Sequence, residues 1–264
     1  TAPLPAVCSH MSKSSLVFLF FLLTTLGACA SIDTGPGVLS SNREGECVVL
    51  LHGLGRTQSS MRKIENELTS DGFTVANVAY RSRSASIEQL ADTAISKGLS
   101  ECRDKPSQKI HFVTHSLGGI LLRYYLAGHA IDELGRSVML APPNQGSEAA
   151  DVFRSWPGYS LLHGEAGFQL GTDENSVPLQ LGAVQFDVGV IAGDRSIDPL
   201  SSLVLPNPDD GRVSVERTKV DGMNDFLVVH HSHFFIMKSK GVIRQIRHYL
   251  EFGEFDHTAE EPSS

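Results

Sequence analysis

Two hydrophobic patterns alternate along most of this chain. Short, continuous apolar runs are typical of strands that are buried on both faces, and they lie at residues 47–51, 73–80, 110–114, 137–141, 188–192 and 226–229. Between these runs, apolar residues recur at spacings of three and four, which predicts amphipathic helices with stripes such as Met61, Ile64 and Leu68, or Val242, Ile243, Ile246 and Leu250. The alternation predicts an α/β domain, with a mostly parallel sheet that is covered by helices on both faces.

Residues 144–187 interrupt this alternation. They are rich in glycine and polar residues, contain Trp156 and show no clear period. The segment predicts a small cap on the α/β domain, although a long surface loop would give the same pattern. Under a cap, Phe153, Trp156 and Phe168 are candidates to line a pocket, and ordinary packing is the alternative for each.

The N-terminal segment has the pattern of a secretory signal peptide. The first methionine is Met11, so we expect residues 1–10 to lie upstream of the natural start. Lys13 precedes the apolar run 16–23, and small residues follow it, as in a signal peptide. The run is shorter than the roughly 20 residues that a membrane span needs; an uncleaved anchor remains the alternative.

The sequence Leu26-Gly27-Ala28-Cys29 resembles the lipobox of bacterial lipoproteins. This resemblance implies cleavage before Cys29, a lipid on that cysteine and a membrane-anchored protein that faces the periplasm. Ordinary cleavage after Ala28 or Ala30 would instead give a periplasmic or secreted protein. The predicted organisation is a leader (1–28), a tether rich in Ser, Gly and Pro (29–45), the α/β domain (46–252) and a polar tail (253–264).

Composition narrows the function classes. With 41% apolar and 20% charged residues, the chain has the mix of an ordinary globular domain. Its net charge of −8 argues against a nucleic-acid partner. The four cysteines lack the paired CxxC spacing of a structural zinc site. Export would permit a disulfide between Cys47 and Cys102 if their strands are neighbours, and two free thiols are the alternative.

The strongest chemical motif is the apolar strand 110–114 that runs through His115 into Ser116 and then into a helix. A strained strand-to-helix turn of this kind is typical of a nucleophile elbow, which projects a serine oxygen above the sheet. The flanking positions must be small, which Gly118 satisfies, whereas Thr114 is larger than the usual glycine. The helix N-terminus favours developing negative charge. A helix-capping serine is the alternative.

A second motif, His52-Gly53-Leu54-Gly55, follows the first predicted strand. A glycine-rich turn can direct a backbone N–H into a site, and the oxyanion of a tetrahedral intermediate needs two such donors. The N–H groups of Leu54 and Leu117 are the candidates for this oxyanion hole.

At these two motifs the sequence resembles the α/β-hydrolase superfamily, particularly bacterial lipases and esterases. Residues 140–147, Leu-Ala-Pro-Pro-Asn-Gln-Gly-Ser, are similar to the Pro-His-x-Gly-Ser segment of such lipases, with Asn144 in place of the histidine. Together the matches span residues 47–245. The resemblance implies an α/β-hydrolase fold, an ester or lipid-like substrate and no cofactor.

In this fold the catalytic acid lies between the serine and the histidine along the chain. Asp210 is the favoured acid because Asp210-Gly211-Arg212-Val213-Ser214 resembles the Asp-Gly-x-Val-Ser segment of bacterial lipases. Asp194 and Asp198 directly follow a predicted strand, where a simpler hydrolase would keep its acid, and both stay open. A turn-forming role is the alternative for each aspartate.

His233 is the favoured base because it comes last before an apolar run, which matches the position of the base in the resembling enzymes. His231 is the second candidate. The close histidines at 230, 231 and 233 could suggest a metal site, but no carboxylate or cysteine completes a ligand set. We therefore expect no metal.

These motifs predict a serine-dependent carboxylic-ester hydrolase that acts through Ser116, Asp210 and His233 and an acyl-enzyme intermediate. Acyl transfer or cleavage of thioesters or amides on the same triad is one alternative. A non-catalytic lipoprotein that uses the fold to bind a partner is another. The sequence does not indicate the natural substrate, the acyl chain length or the oligomeric state.

Overall fold

The computed structural model describes residues 43–104 and 107–259, and it contains a parallel six-stranded sheet. The strands are β1 Glu46–Leu51, β2 Thr74–Asn77, β3 Lys109–His115, β4 Leu134–Leu140, β5 Val188–Gly193 and β6 Asp225–Val229. Their spatial order is β2-β1-β3-β4-β5-β6, and all neighbouring pairs are parallel. The predicted α/β class is therefore confirmed.

Helices cover both faces of this sheet. They are α1 Arg62–Ser70, α2 Ile87–Arg103, α3 Leu117–Gly128, α4 Glu148–Phe153, α5 Tyr159–Phe168, α6 Val177–Gln180, α7 Pro199–Ser202, α8 Val215–Thr218 and α9 Lys240–Phe252. In β1, Val49 and Leu51 pack in the core under α2 and α3, whereas Val48 and Leu50 pack in the core under α1 and α9. Because β1 contributes to two cores, its sequence after Glu46 is continuously apolar.

Strand register places the candidate chemical motifs at one edge of the sheet. Leu51 at the end of β1 is paired with Thr114 of β3, and His115 is paired with Leu140 at the end of β4. Gly193 at the end of β5 is paired with Val229 at the end of β6. The segments that follow these strands therefore emerge side by side, at the carboxyl ends where open α/β sheets bind ligands.

The segment 144–187 contains the helices α4, α5 and α6, which the hydrophobic pattern did not predict. These helices are too short to give a clear period, and α5 is interrupted at Gly164, which has a φ of 64°. A Cβ at this glycine would lie 2.1 Å from the Arg83 carbonyl oxygen. The segment also contacts α2, because Gln169 accepts a hydrogen bond from the Ile87 N–H at 2.7 Å.

A disulfide joins Cys47 in β1 to Cys102 in the last turn of α2, with a Cα–Cα distance of 5.7 Å. It lies near the amino end of β1, away from the edge that carries Ser116. The predicted leader, Cys29 and residues 30–42 of the tether lie outside the described residues. Within residues 43–104 and 107–259, no helix is long and apolar enough to span a membrane.

Candidate active site

Ser116 lies on a strained turn between β3 and α3. Its backbone has a φ of 52° and a ψ of −121°, a conformation that non-glycine residues rarely adopt. The Ser116 N–H donates to the Leu140 carbonyl oxygen at 2.9 Å, which ties the turn to β4. A Cβ at Gly118 would lie 2.7 Å from the Leu51 carbonyl oxygen, so glycine is required there. Thr114 is tolerated inside β3, where its side chain is fully buried.

A continuous set of hydrogen bonds connects Ser116, His233 and Asp210. His233 Nε2 lies 3.0 Å from Ser116 Oγ, and His233 Nδ1 lies 2.7 Å from Asp210 Oδ2. Asp210 is completely buried, and its Oδ1 accepts the N–H groups of Arg212 and Val213 at 2.9 and 2.8 Å. The His233 N–H donates to the Asp210 carbonyl oxygen at 3.0 Å. The three favoured residues therefore meet in one place.

The competing acids occupy other positions. Asp198 caps α7 through the Ser201 N–H and forms an ion pair with Arg212 at 2.7 Å. Asp194 lies 2.9 Å from Nδ1 of His230, which is largely exposed. Neither aspartate is hydrogen-bonded to His233.

His231, the competing base, is held by its backbone, whose N–H donates to the Val229 carbonyl oxygen at 2.8 Å. It makes no hydrogen bond to Ser116 or to Asp210. In the described part of the chain, no group of three His, Cys, Asp or Glu side chains is arranged to hold a metal ion.

Both candidate oxyanion donors belong to residues near Ser116. Leu117 is the first residue of α3, and the first N–H groups of a helix have no partner within it. Leu54 lines the same cavity as Ser116. The turn before Leu54 approaches the serine closely, since a Cβ at Gly53 would lie 3.1 Å from Ser116 Cβ. A side chain there would displace the His115 ring, because the same Cβ would lie 2.8 Å from His115 Nδ1.

Ser116 and His233 open into a cavity of about 260 Å³, which we call the serine cavity. Much of its wall is apolar and comes from residues 144–187, namely Ala149, Ala150, Phe153, Tyr159 and Leu170. Of the three aromatic residues predicted for a pocket, only Phe153 lines this cavity. Trp156 and Phe168 are 56% and 42% exposed and lie outside its lining.

Asn144, which replaces the lipase histidine, is buried and has a structural position. The side-chain amide of Asn144 donates to the Thr218 carbonyl oxygen at 2.8 Å, and the backbone carbonyl oxygen of Asn144 accepts a hydrogen bond from Arg123 at 2.8 Å. Arg123 also donates to the carbonyl oxygens of Pro178 and Gly182. This buried cluster holds residues 144–182 against α3.

Arg56, Arg212 and Phe234 also line the serine cavity, which the sequence did not predict. Each of these three residues lies beside or within a motif that was identified for another reason. Arg56 follows the glycine-rich turn, Arg212 lies two residues after Asp210, and Phe234 follows His233. Their position beside those motifs was the feature of the sequence that could have identified them as cavity residues.

Two buried histidines surround the site. His115 Nε2 lies 3.0 Å from the His233 carbonyl oxygen, so an N–H there supports the His233 backbone. Burial, followed by the nearby His233, holds the pKa of His115 well below its usual value. The pKa of His52 is also lowered by burial, and its ring stacks on Tyr80 at a centroid distance of 4.0 Å.

The buried histidines predict a loss of stability in mild acid. Burial lowers the pKa of His111 to about 4 and lowers those of His52 and His115. The unfolded chain binds protons at these groups near pH 6.5, whereas the folded chain does not, so the free energy of unfolding should fall as pH decreases below about 6.5. His111 alone should account for about 3 kcal/mol by pH 4.

Urea unfolding at pH 7.5 and pH 5.0 would measure this effect. A His111→Asn variant should lose less stability between the two pH values than the parent protein. Equal stability of the parent at both pH values would contradict the prediction.

Comparison with known proteins agrees with this architecture. Residues 41–141 match the family described as "Putative serine esterase" (DUF676). No curated protein sequence matches the chain. The structure of the mature Bacillus licheniformis lipase BlEst2 superposes with a TM-score of 0.65 at 18% identity, covering 83% of this chain and 97% of that one.

Two further solved structures have the same fold. Phospholipase PlaB from Legionella pneumophila superposes with a TM-score of 0.54 at 20% identity, covering 66% of this chain and 45% of that one. A structure from a study of carboxylesterases of the thaumarchaeon Nitrososphaera gargenis gives a TM-score of 0.52 at 16% identity, covering 81% of this chain and 92% of that one. The parallel sheet and these superpositions show that the chain has an α/β-hydrolase fold.

Proposed function

We propose that this protein is a carboxylic-ester hydrolase that uses Ser116 as its nucleophile. The observation that carries the proposal is the set of hydrogen bonds from a buried carboxylate, through both ring nitrogens of His233, to Ser116 Oγ. A serine hydroxyl is a weak nucleophile unless a base takes its proton and a third group orients that base. Asp210, His233 and Ser116 supply these three roles.

The reaction proceeds through an acyl-enzyme. Ser116 Oγ attacks the ester carbonyl carbon while His233 Nε2 takes the hydroxyl proton, and the N–H groups of Leu54 and Leu117 stabilise the oxyanion. His233 then donates that proton to the leaving alcohol. Water, deprotonated by the same histidine, attacks the acyl-enzyme and releases the acid. Asp210 holds the His233 tautomer that carries its proton on Nδ1. No cofactor takes part in these steps.

The serine cavity supports an ester with an apolar acyl group. Ala149, Phe153 and Leu170 form an apolar wall beside Ser116, where an acyl chain would be removed from water. The similar structures are described as a lipase, a phospholipase and carboxylesterases, which supports the same substrate class. A lipid on Cys29 would place this activity at the periplasmic face of a membrane.

Labelling with a fluorophosphonate probe tests the proposed nucleophile. The parent protein should be labelled at Ser116, and the Ser116→Ala variant should not be labelled. Ser147→Ala is the matched control because Ser147 also lines the serine cavity, and this variant should be labelled like the parent. Labelling that persists in Ser116→Ala would refute the proposal. A panel of esters, thioesters and amides would then identify the preferred acyl substrate.

A further inference from the structure

A pair of arginines flanks an aromatic ring on the wall of the serine cavity. The Arg56 guanidinium lies 4.7 Å from the centre of the Phe234 ring, and the Arg212 guanidinium lies 4.9 Å from the same centre. All three side chains line the cavity into which Ser116 opens. Phe234 therefore holds two positive charges beside the proposed nucleophile.

Only one of these two charges has an acidic partner. Arg212 forms an ion pair with Asp198 at 2.7 Å. Arg56 is half-buried, and across residues 43–104 and 107–259 no carboxylate lies within ion-pair distance of it. Burial and then the charge of Arg212 lower the pKa of Arg56. A partly desolvated cation without a counter-ion is unfavourable, so an anion that enters the cavity would be stabilised there.

The positive character continues outside the serine cavity. Arg56 also borders a second cavity of about 360 Å³, which we call the arginine groove, and which is lined by Arg56, Thr57, Tyr80, Arg81, Ser82, Arg83, Ser84 and Leu161. Neither cavity has an aspartate or glutamate in its lining. In a chain with a net charge of −8, this concentration of arginine creates a local positive field that attracts anions.

The position of Phe234 indicates which part of the substrate Arg56 would contact. His233 donates its proton to the leaving alcohol, so groups next to its ring lie on the leaving-group side of the ester. Phe234 directly follows His233, their ring centres are 6.1 Å apart, and Arg56 contacts Phe234. The apolar wall formed by Ala149, Phe153 and Leu170 is left for the acyl group.

We propose that Arg56 binds a phosphate or carboxylate on the alcohol part of the ester. The part of this charged alcohol that extends beyond Arg56 lies in the arginine groove. A guanidinium suits both anions because its donors can pair with two oxygens at once. The inference rests on the proposed ester hydrolase and deepens it, since it makes the enzyme selective for anionic leaving groups.

Three matched butyrate esters test this selectivity: those of glycerol, glycerol 3-phosphate and glyceric acid. The parent protein should show a kcat/KM for at least one of the two anionic esters that is at least about tenfold above that for the neutral ester. In Arg56→Gln the anionic-to-neutral ratio should fall by about 10-fold to 100-fold. Because the contact is electrostatic, 0.5 M NaCl should reduce the ratio in the parent. The two anionic esters distinguish phosphate from carboxylate recognition.

Arg62→Gln is the matched control, because it removes the same charge from an exposed position on α1 that lines neither cavity. It should keep the parent ratio. A parent ratio near 1, a parent ratio retained in Arg56→Gln, or an equal fall in both variants would overturn the inference. Hydrolysis of the neutral ester that depends on Ser116 would leave the proposed function intact in each of those cases.

A binding measurement keeps the inference testable without turnover. Ser116→Ala protein should bind glycerol 3-phosphate in isothermal titration calorimetry, and adding Arg56→Gln should weaken that binding by about tenfold or more. Circular dichroism would verify that both proteins are folded. Absence of binding to folded Ser116→Ala protein would refute the anion site, whether or not any ester is hydrolysed.

Discussion

Replacing Ser116 with alanine should reduce kcat for ester hydrolysis by about 10⁴-fold to 10⁶-fold, as removal of the nucleophile does in other serine triads. The variant loses the hydroxyl oxygen that lies 3.0 Å from His233 Nε2 and that this nitrogen would activate. Its fold should persist, because alanine meets the same backbone restriction as serine at a φ of 52°. Hydrolysis of a short-chain ester, measured together with the unfolding temperature, would separate lost chemistry from lost structure.

Ser147→Ala serves as the control for this experiment. Ser147 lines the same cavity, but its hydroxyl donates to the Arg212 carbonyl oxygen rather than to His233. Its removal should therefore change kcat far less than the removal of Ser116. Undiminished turnover by Ser116→Ala would eliminate Ser116 as the nucleophile.

Asp210→Asn should lower kcat by about 10⁴-fold while leaving the shape of the site almost unchanged. Asparagine occupies the same volume, yet its amide can donate a hydrogen bond to His233 Nδ1. Such a bond would favour the tautomer that carries its proton on Nε2, which cannot accept the proton of Ser116. Pre-steady-state measurement of acylation would locate the defect in the chemical step.

The two competing acids provide matched controls for Asp210→Asn. Asp194→Asn should have the activity of the parent, because Asp194 contacts His230 on the surface. Asp198→Asn loses an ion pair to Arg212, and its kcat should stay within about tenfold of the parent. A greater loss in either variant than in Asp210→Asn would move the acid role away from Asp210.

The sequence was informative wherever burial leaves a regular pattern. All six predicted strands are present. The inner strands are the most deeply buried, whereas the edge strands β2 and β6 are only partly buried and still give short apolar runs. The strand Phe73–Tyr80 was predicted too long, since only Thr74–Asn77 pairs with β1. Beyond β2, Val78 is buried in the core, and its N–H donates one more hydrogen bond to the Leu50 carbonyl oxygen at 3.1 Å.

Other features depend on contacts between distant segments and leave no local pattern. Asp194, Asp198 and Asp210 all lie between β5 and β6, and chain order alone accepts any of them. Asp210 is distinguished by its burial against His233 and the backbone of Arg212, a contact that only the folded chain creates. Similarly, Arg212 differs from Arg56 because it forms an ion pair with Asp198. The spacing of these residues along the chain could not reveal that ion pair.

The disulfide has a consequence for damage to the polypeptide. Cys47 and Cys102 close a covalent ring that contains the glycine-rich turn at 52–55 and every residue that lines the arginine groove except Leu161. A protease that cut the exposed backbone near Ser84 would open this ring without separating the two fragments. A nicked molecule would therefore migrate as a full-length chain on a non-reducing gel and as two pieces after reduction.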